Sequence, residues 1–224
     1  MNAIQQTIPH RITASQSRPL RILAEAVSYI FHPVFFPLVM SVAITFLAPS
    51  FFVGVADKQV KLWLLSIAIS AVFFPLFSTL LMKPLGFIGS FKMETARERT
   101  IPLMATMIFY FWVSHAFNNM NTNPPLVLKV LLLGNFWGVI LMFIANIFTK
   151  VSMHTAVAGG MVGIIIVLMI LSPANLAIPL IVSIILAGIM GTARMILGAH
   201  QRGDIWLGYI IGVFVQLGAY LYMK

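Results

Sequence analysis

The chain has no cysteine among its 224 residues, which excludes disulfides, a thiolate nucleophile and thiolate metal ligation. Acid is nearly as scarce. Five carboxylates stand against 14 Lys and Arg, for a formal net charge of +9. From Pro102 to Ala193 there is no Asp or Glu at all, and the only Lys or Arg residues are Lys129 and Lys150. Charged residues make up 8% of the chain and hydrophobic ones 60%, a balance that a soluble domain of this size would carry only with large exposed apolar patches. Polar residues in such a background are costly, and an ionisable group at membrane depth reads by default as functional.

What is present is a succession of apolar runs. Spanning a bilayer takes roughly 20 mostly apolar residues, and seven stretches answer to that ruler, near 30–53, 62–82, 103–118, 126–149, 155–171, 176–193 and 205–223. The expected fold is an all-α polytopic transmembrane helix bundle of six to seven spans, forming one domain over 27–224. Segment 103–118 is the shortest and decides the count. Residues 1–26 read as an N-terminal basic tail and an interfacial helix, because Arg18, Arg21 and Glu25 are interleaved with Leu20, Ile22, Leu23 and Val27. They lack the apolar core and small-residue cleavage site of a secretory signal and are expected to stay attached.

Turn signals punctuate the runs. Asn118, Asn119, Asn121 and Asn123 lead into Pro124 and Pro125, and Ser172-Pro173-Ala174-Asn175 closes a second hairpin. Pro102 is expected in the first turn of the third span, where a missing N–H costs nothing. The surplus of bases implies no nucleic acid, since most of them sit in short connections beside spans, where they anchor against anionic headgroups.

Three polar stretches interrupt this pattern. The first, Lys92 to Arg99, places two cations seven residues apart, near one face of a helix, where they can address the oxygens of a phosphoryl group. In the second, Lys150-Val151-Ser152-Met153-His154, Ser152 can cap the following helix and His154 can act as a general acid. The third, GTARMILGAHQRGDIW, holds Arg194, His200 and Asp204. A histidine can attack phosphorus if one ring nitrogen is unprotonated, and a carboxylate on the other nitrogen fixes that state; four-residue spacing lets Asp204 reach His200 if the segment is helical. Each stretch also has a plain structural use: a solvated charge run, a helix cap at Ser152, an N-cap at Asp204, and interfacial side chains at Arg194 and His200.

Taken together, the stretches resemble the three signature motifs of the type 2 phosphatidic acid phosphatase superfamily, which also includes the vanadium haloperoxidases: Lys-x6-Arg-Pro, Pro-Ser-Gly-His and Ser-Arg-x5-His-x3-Asp. Lys92, Arg99, Ser152, His154, Arg194, His200 and Asp204 match in order and spacing. Thr100, Val151, Met153 and Ala193 depart from the pattern. The resemblance implies that His200 attacks phosphorus, Asp204 orients it and His154 protonates the leaving alcohol, while Lys92, Arg99, Ser152 and Arg194 hold the oxygens. It implies a lipid-linked phosphate monoester or pyrophosphate as substrate, no cofactor and no metal.

If all seven spans cross, the three stretches share one face, the face of the N-terminus. The expected setting is a bacterial inner membrane. The bases favour the cytoplasmic side for that face, whereas lipid phosphatases of the superfamily commonly work from the outer one, so the two considerations disagree. The residues leave open a lipid phosphotransferase using the same covalent step, and a non-catalytic transporter whose cations line an anion path. They do not fix the lipid or the oligomeric state.

Overall fold

A computed structural model of the chain describes residues 17–91 and 96–224. Those residues form helices α1 (Arg18–Ile30), α2 (Phe36–Leu47), α3 (Asp57–Ile67), α4 (Phe74–Met82), α5 (Ala96–Asn118), α6 (Leu126–Phe148), α7 (Met153–Leu171), α8 (Ala177–Ile196) and α9 (Arg202–Met223). No strand occurs among the described residues. A π-helical segment, Ala68–Phe73, joins α3 to α4 without a break, so among the described residues seven segments are long and apolar enough to cross a membrane. The outer surface is what lipid requires: Phe214 is 66% exposed and Ile178 75%, and main-chain polar groups are satisfied within each helix. The protein is an all-α polytopic bundle.

The first apolar run is broken. Pro33 and Pro37 lack the N–H that an unbroken helix would need, and the chain bends between α1 and α2 through a short 3-10 turn, Pro33–Phe35, capped by the His32 ring accepting from the Val34 N–H at 3.3 Å. This bend brings Ser28 and His32 into the bundle. The third span is longer than its apolar run. Helix α5 begins at Ala96, so Pro102 lies inside it instead of in its first turn, and Arg99 enters the bundle nearly fully buried. Hydropathy began that span too late because it cannot see a buried partner for a guanidinium. At the other end of α5, Asn123 adopts the left-handed conformation with φ of 48°, for which Asn is well suited, and the neighbouring Thr122 hydroxyl accepts from the Trp63 indole at 3.0 Å.

Helices α7 and α9 make the most extensive contact in the bundle. The reason is small residues at four-residue spacing, Ala156 and Gly160 on α7 facing Gly208 and Gly212 on α9, which let two backbones touch. A Cβ on Gly212 would fall on the Ala156 carbonyl oxygen, and one on Gly208 on the Thr155 hydroxyl. This seam fixes the start of α7 against the start of α9. Gly212→Leu is therefore expected to prevent native packing, beyond the roughly 1–3 kcal/mol usual for an overpacked core. Gly188→Ala, where a Cβ meets nothing within 4 Å, should be silent. Thermal melting of both variants in detergent checks this.

Candidate active site

The short connections 149–152 and 197–201 lie side by side at one end of the bundle. Helix α8 ends at Ile196, and Gly198, with φ of 63°, turns the chain back, a conformation that glycine adopts without strain. His200 is thereby delivered to the Lys150 carbonyl, which its Nδ1 meets at 2.8 Å. A carbonyl oxygen only accepts, so Nδ1 carries the proton and Nε2 keeps its lone pair. Burial first, then the charges of Arg194, Arg99 and Lys150, hold the imidazole well below its ordinary pKa, at about 4, against the opposing pull of the carbonyl bond. At neutral pH, His200 is an uncharged imidazole in one tautomer beside three cations.

The orienting group differs from the one expected. Helix α9 begins at Arg202, so His200 precedes the helix and does not share a helical face with Asp204. Asp204 instead closes a capping box, its Oδ2 accepting from the Gln201 N–H at 3.1 Å. Its Oδ1 accepts from the Thr149 hydroxyl at 2.7 Å, and its carbonyl accepts from the Ser152 N–H at 3.3 Å. Asp204 clamps the two connections together; the Lys150 main chain sets the tautomer of His200. Ser152, expected to hold phosphate, is fully buried and is the N-cap of α7, its Oγ accepting from the Thr155 N–H at 3.4 Å.

The other expected residues converge here. Arg99 reaches across from α5 and donates to the Val151 carbonyl at 3.3 Å. Arg194, in the last turn of α8, donates from Nη1 to the Ser28 hydroxyl at 3.3 Å, while its buried Nε–H has no hydrogen-bond partner. Helix α7 presents His154 at its second position, within electrostatic reach of Arg194, His32 and His200. Its Nε2–H donates to the Ser28 carbonyl at 3.0 Å. Lys92 lies outside the described residues.

Ser28 and His32 were not anticipated from the sequence. Ser28 offers two oxygens, a carbonyl to His154 and a hydroxyl to Arg194, and the His32 ring stands edge-on to His154 at 6.0 Å between centroids. His32 had a signal, being an ionisable side chain in the first apolar run. Ser28 had none.

Two cavities meet this cluster at His32, and neither is lined by Arg99, His154, Arg194 or His200. One, of about 350 Å³, runs from His32 and Met153 down between α5, α6, α7 and α9. The second, of about 570 Å³, lies among α2, α7 and α8 and shares His32, Phe36 and Val157 with the first. Their walls are predominantly apolar. Among the described residues no group of three or more His, Asp or Glu is placed to hold a metal ion.

Comparison of the chain with protein-family models, with curated proteins and with solved structures found no match.

Proposed function

We propose that the protein is an integral membrane lipid phosphatase of the type 2 phosphatidic acid phosphatase kind, hydrolysing a lipid-linked phosphate monoester or pyrophosphate through a phosphohistidine. One observation carries the reading: an uncharged His200 whose proton is fixed on Nδ1 by the Lys150 carbonyl, leaving a nucleophilic Nε2 among cations.

In this mechanism the phosphoryl group sits between His200, Arg99 and Arg194. Its oxygens take the buried Arg194 Nε–H and displace the Ser28 hydroxyl, so that cations already in place meet the charge that grows in the transition state. His200 Nε2 attacks phosphorus, the P–O bond to the lipid breaks, and the departing oxygen takes a proton from the imidazolium form of His154, which the arriving phosphate anion favours and whose Nε2–H exchanges the Ser28 carbonyl for that oxygen. A water then attacks phosphorus, the P–N bond breaks, and the water proton returns to His154. Phosphate leaves and the alcohol remains in the bilayer. The apolar cavities below His32 would house the tail and hold the ester at headgroup level.

Purified protein given a lipid phosphate with radiolabelled phosphorus in excess EDTA is expected to release phosphate and, on rapid quenching, to carry an acid-labile, alkali-stable label lost in His200→Gln. Turnover that disappears with EDTA and returns with Mg²⁺ would reject the mechanism.

The protonation state of His200 has its own check. Protonation destroys the nucleophile, and the folded pKa of about 4 lies below the ordinary value of ~6.5. In the substrate-free protein the His200 ring resonance, assigned by its absence in His200→Gln, is expected to titrate near pH 4. A midpoint near 6.5 would contradict the buried site. The sign for stability follows: between pH 6.5 and 4 the unfolded chain binds the proton and the folded one does not, so this group destabilises the fold as pH falls through that window.

A further inference from the structure

The deep end of the smaller cavity is not apolar. Asn135 on α6 and Gln216 on α9 both line it, at 8% and 1% exposure, and they are joined by one hydrogen bond, Gln216 Nε2–H to Asn135 Oδ1 at 3.2 Å. Asn135 Nδ2 and Gln216 Oε1 have no partner. Turning both amides over exchanges which side chain supplies which group and leaves the same inventory, one donor and one acceptor unmet. A buried amide group without a partner is expensive, and Gly134 keeps the space in which the Gln216 amide lies, since a Cβ there would collide with it. Interhelical adhesion accounts for the bond between the two amides and not for the groups left over.

The depth is defined by α7. Gln216 Nε2 lies beside Gly160, six residues below His154, or about 9 Å of helical rise. The cavity that meets the cluster at His32 is therefore walled, roughly 9 Å below the His154 level, by an amide pair with one donor and one acceptor unmet. A hydroxyl is the small group that answers both at one atom: it donates to the Gln216 oxygen and accepts from the Asn135 nitrogen. A carbonyl answers only the donor, and an isoprenoid hydrocarbon answers neither.

From this arrangement we infer that the cavity is a specificity pocket for a lipid phosphate whose chain carries a hydroxyl group at that depth, read by Asn135 and Gln216. The inference rests on the phosphatase reading for the position of the phosphate. Its test uses purified full-length protein in detergent and four probes: hexadecyl phosphate, and the same molecule hydroxylated at carbon 4, 7 or 10. One hydroxylated isomer is expected to exceed the parent in kcat/KM by about tenfold or more, the worth of two modest hydrogen bonds. In Asn135→Leu/Gln216→Leu, which removes donor and acceptor together, the ratio of that isomer to the parent should fall to about one. Equal rates for all four probes in the unaltered protein would overturn the inference, the outcome expected if an ordered water already satisfies both amides. Hydrolysis of the parent tests the phosphatase reading separately. If no probe is hydrolysed, the thermal shift each confers is measured instead; a hydroxyl-dependent shift lost in the double variant supports the pocket, and identical shifts refute it.

Discussion

His200→Ala is expected to remove phosphate release by on the order of 10⁴-fold or more, the scale seen when a covalent nucleophile is deleted, while Asp204→Asn retains turnover to within about tenfold of the unaltered protein. The contrast follows from hydrogen bonding. His200 takes its tautomer from the Lys150 carbonyl, which no side-chain substitution removes, whereas Asp204 is occupied by Gln201 N–H and the Thr149 hydroxyl. An asparagine at 204 keeps an oxygen for the helix N-terminus, and Asn is tolerated in such roles. Steady-state kinetics on both variants, with folding checked by gel filtration in detergent, decides the matter. A loss with Asp204→Asn as deep as that with His200→Ala would mean that the carboxylate turns to His200 during turnover, restoring the orienting role that the motif resemblance implies.

The second large effect is at Arg194. Its guanidinium is partly buried at the end of α8, bonded to a neutral hydroxyl, with Nε–H unmet, and among the described residues no carboxylate pairs with it. A cation held so is poorly compensated in the empty protein and becomes compensated when an anion arrives. Arg194→Leu is expected to lower kcat/KM by about 10²- to 10³-fold, in the range of deleting one pre-aimed donor, and at the same time to raise the melting temperature in detergent. The opposite signs are the informative part. A purely structural arginine would give a lowered melting temperature, and activity lost only in proportion to unfolding. Arg194→Lys should recover the charge without the fork of donors, and so regain only part of the activity.

How much of this was legible in the chain depends on the range over which each feature is determined. The bundle was legible, because the lipid core makes an apolar run of sufficient length adopt a helix regardless of its neighbours. The hairpin turns at Asn118–Pro125 and Ser172–Asn175 were legible for a similarly local reason, their side chains hydrogen-bonding their own backbone, as Asn175 Oδ1 does to the Ala177 N–H at 3.1 Å. The gathering of Arg99, His154, Arg194 and His200 could be anticipated as well, since an even number of crossings separates the stretches that carry them.

The sequence by itself thus determined the helical membrane architecture and the meeting of Arg99, His154, Arg194 and His200, but not the arrival of Ser28 and His32 among them. Tertiary structure alone decided what each one touches, because a hydrogen-bond partner is set by competition among groups distant along the chain. Asp204 stands four residues after His200, and that spacing would have joined them on a continuous helix; α9 starts between them, at Arg202, and the carboxylate goes to Thr149 and the cap. Ser152 caps its own helix through the Thr155 N–H three residues on, a local contact that the sequence already offered. Ser28, with nothing in its surroundings to mark it, reaches His154 and Arg194 because the prolines at 33 and 37 bend the first run back toward α7 and α8. Small residues on α7 and α9 then draw the connecting segments close enough for one main-chain carbonyl, that of Lys150, to fix the proton on His200.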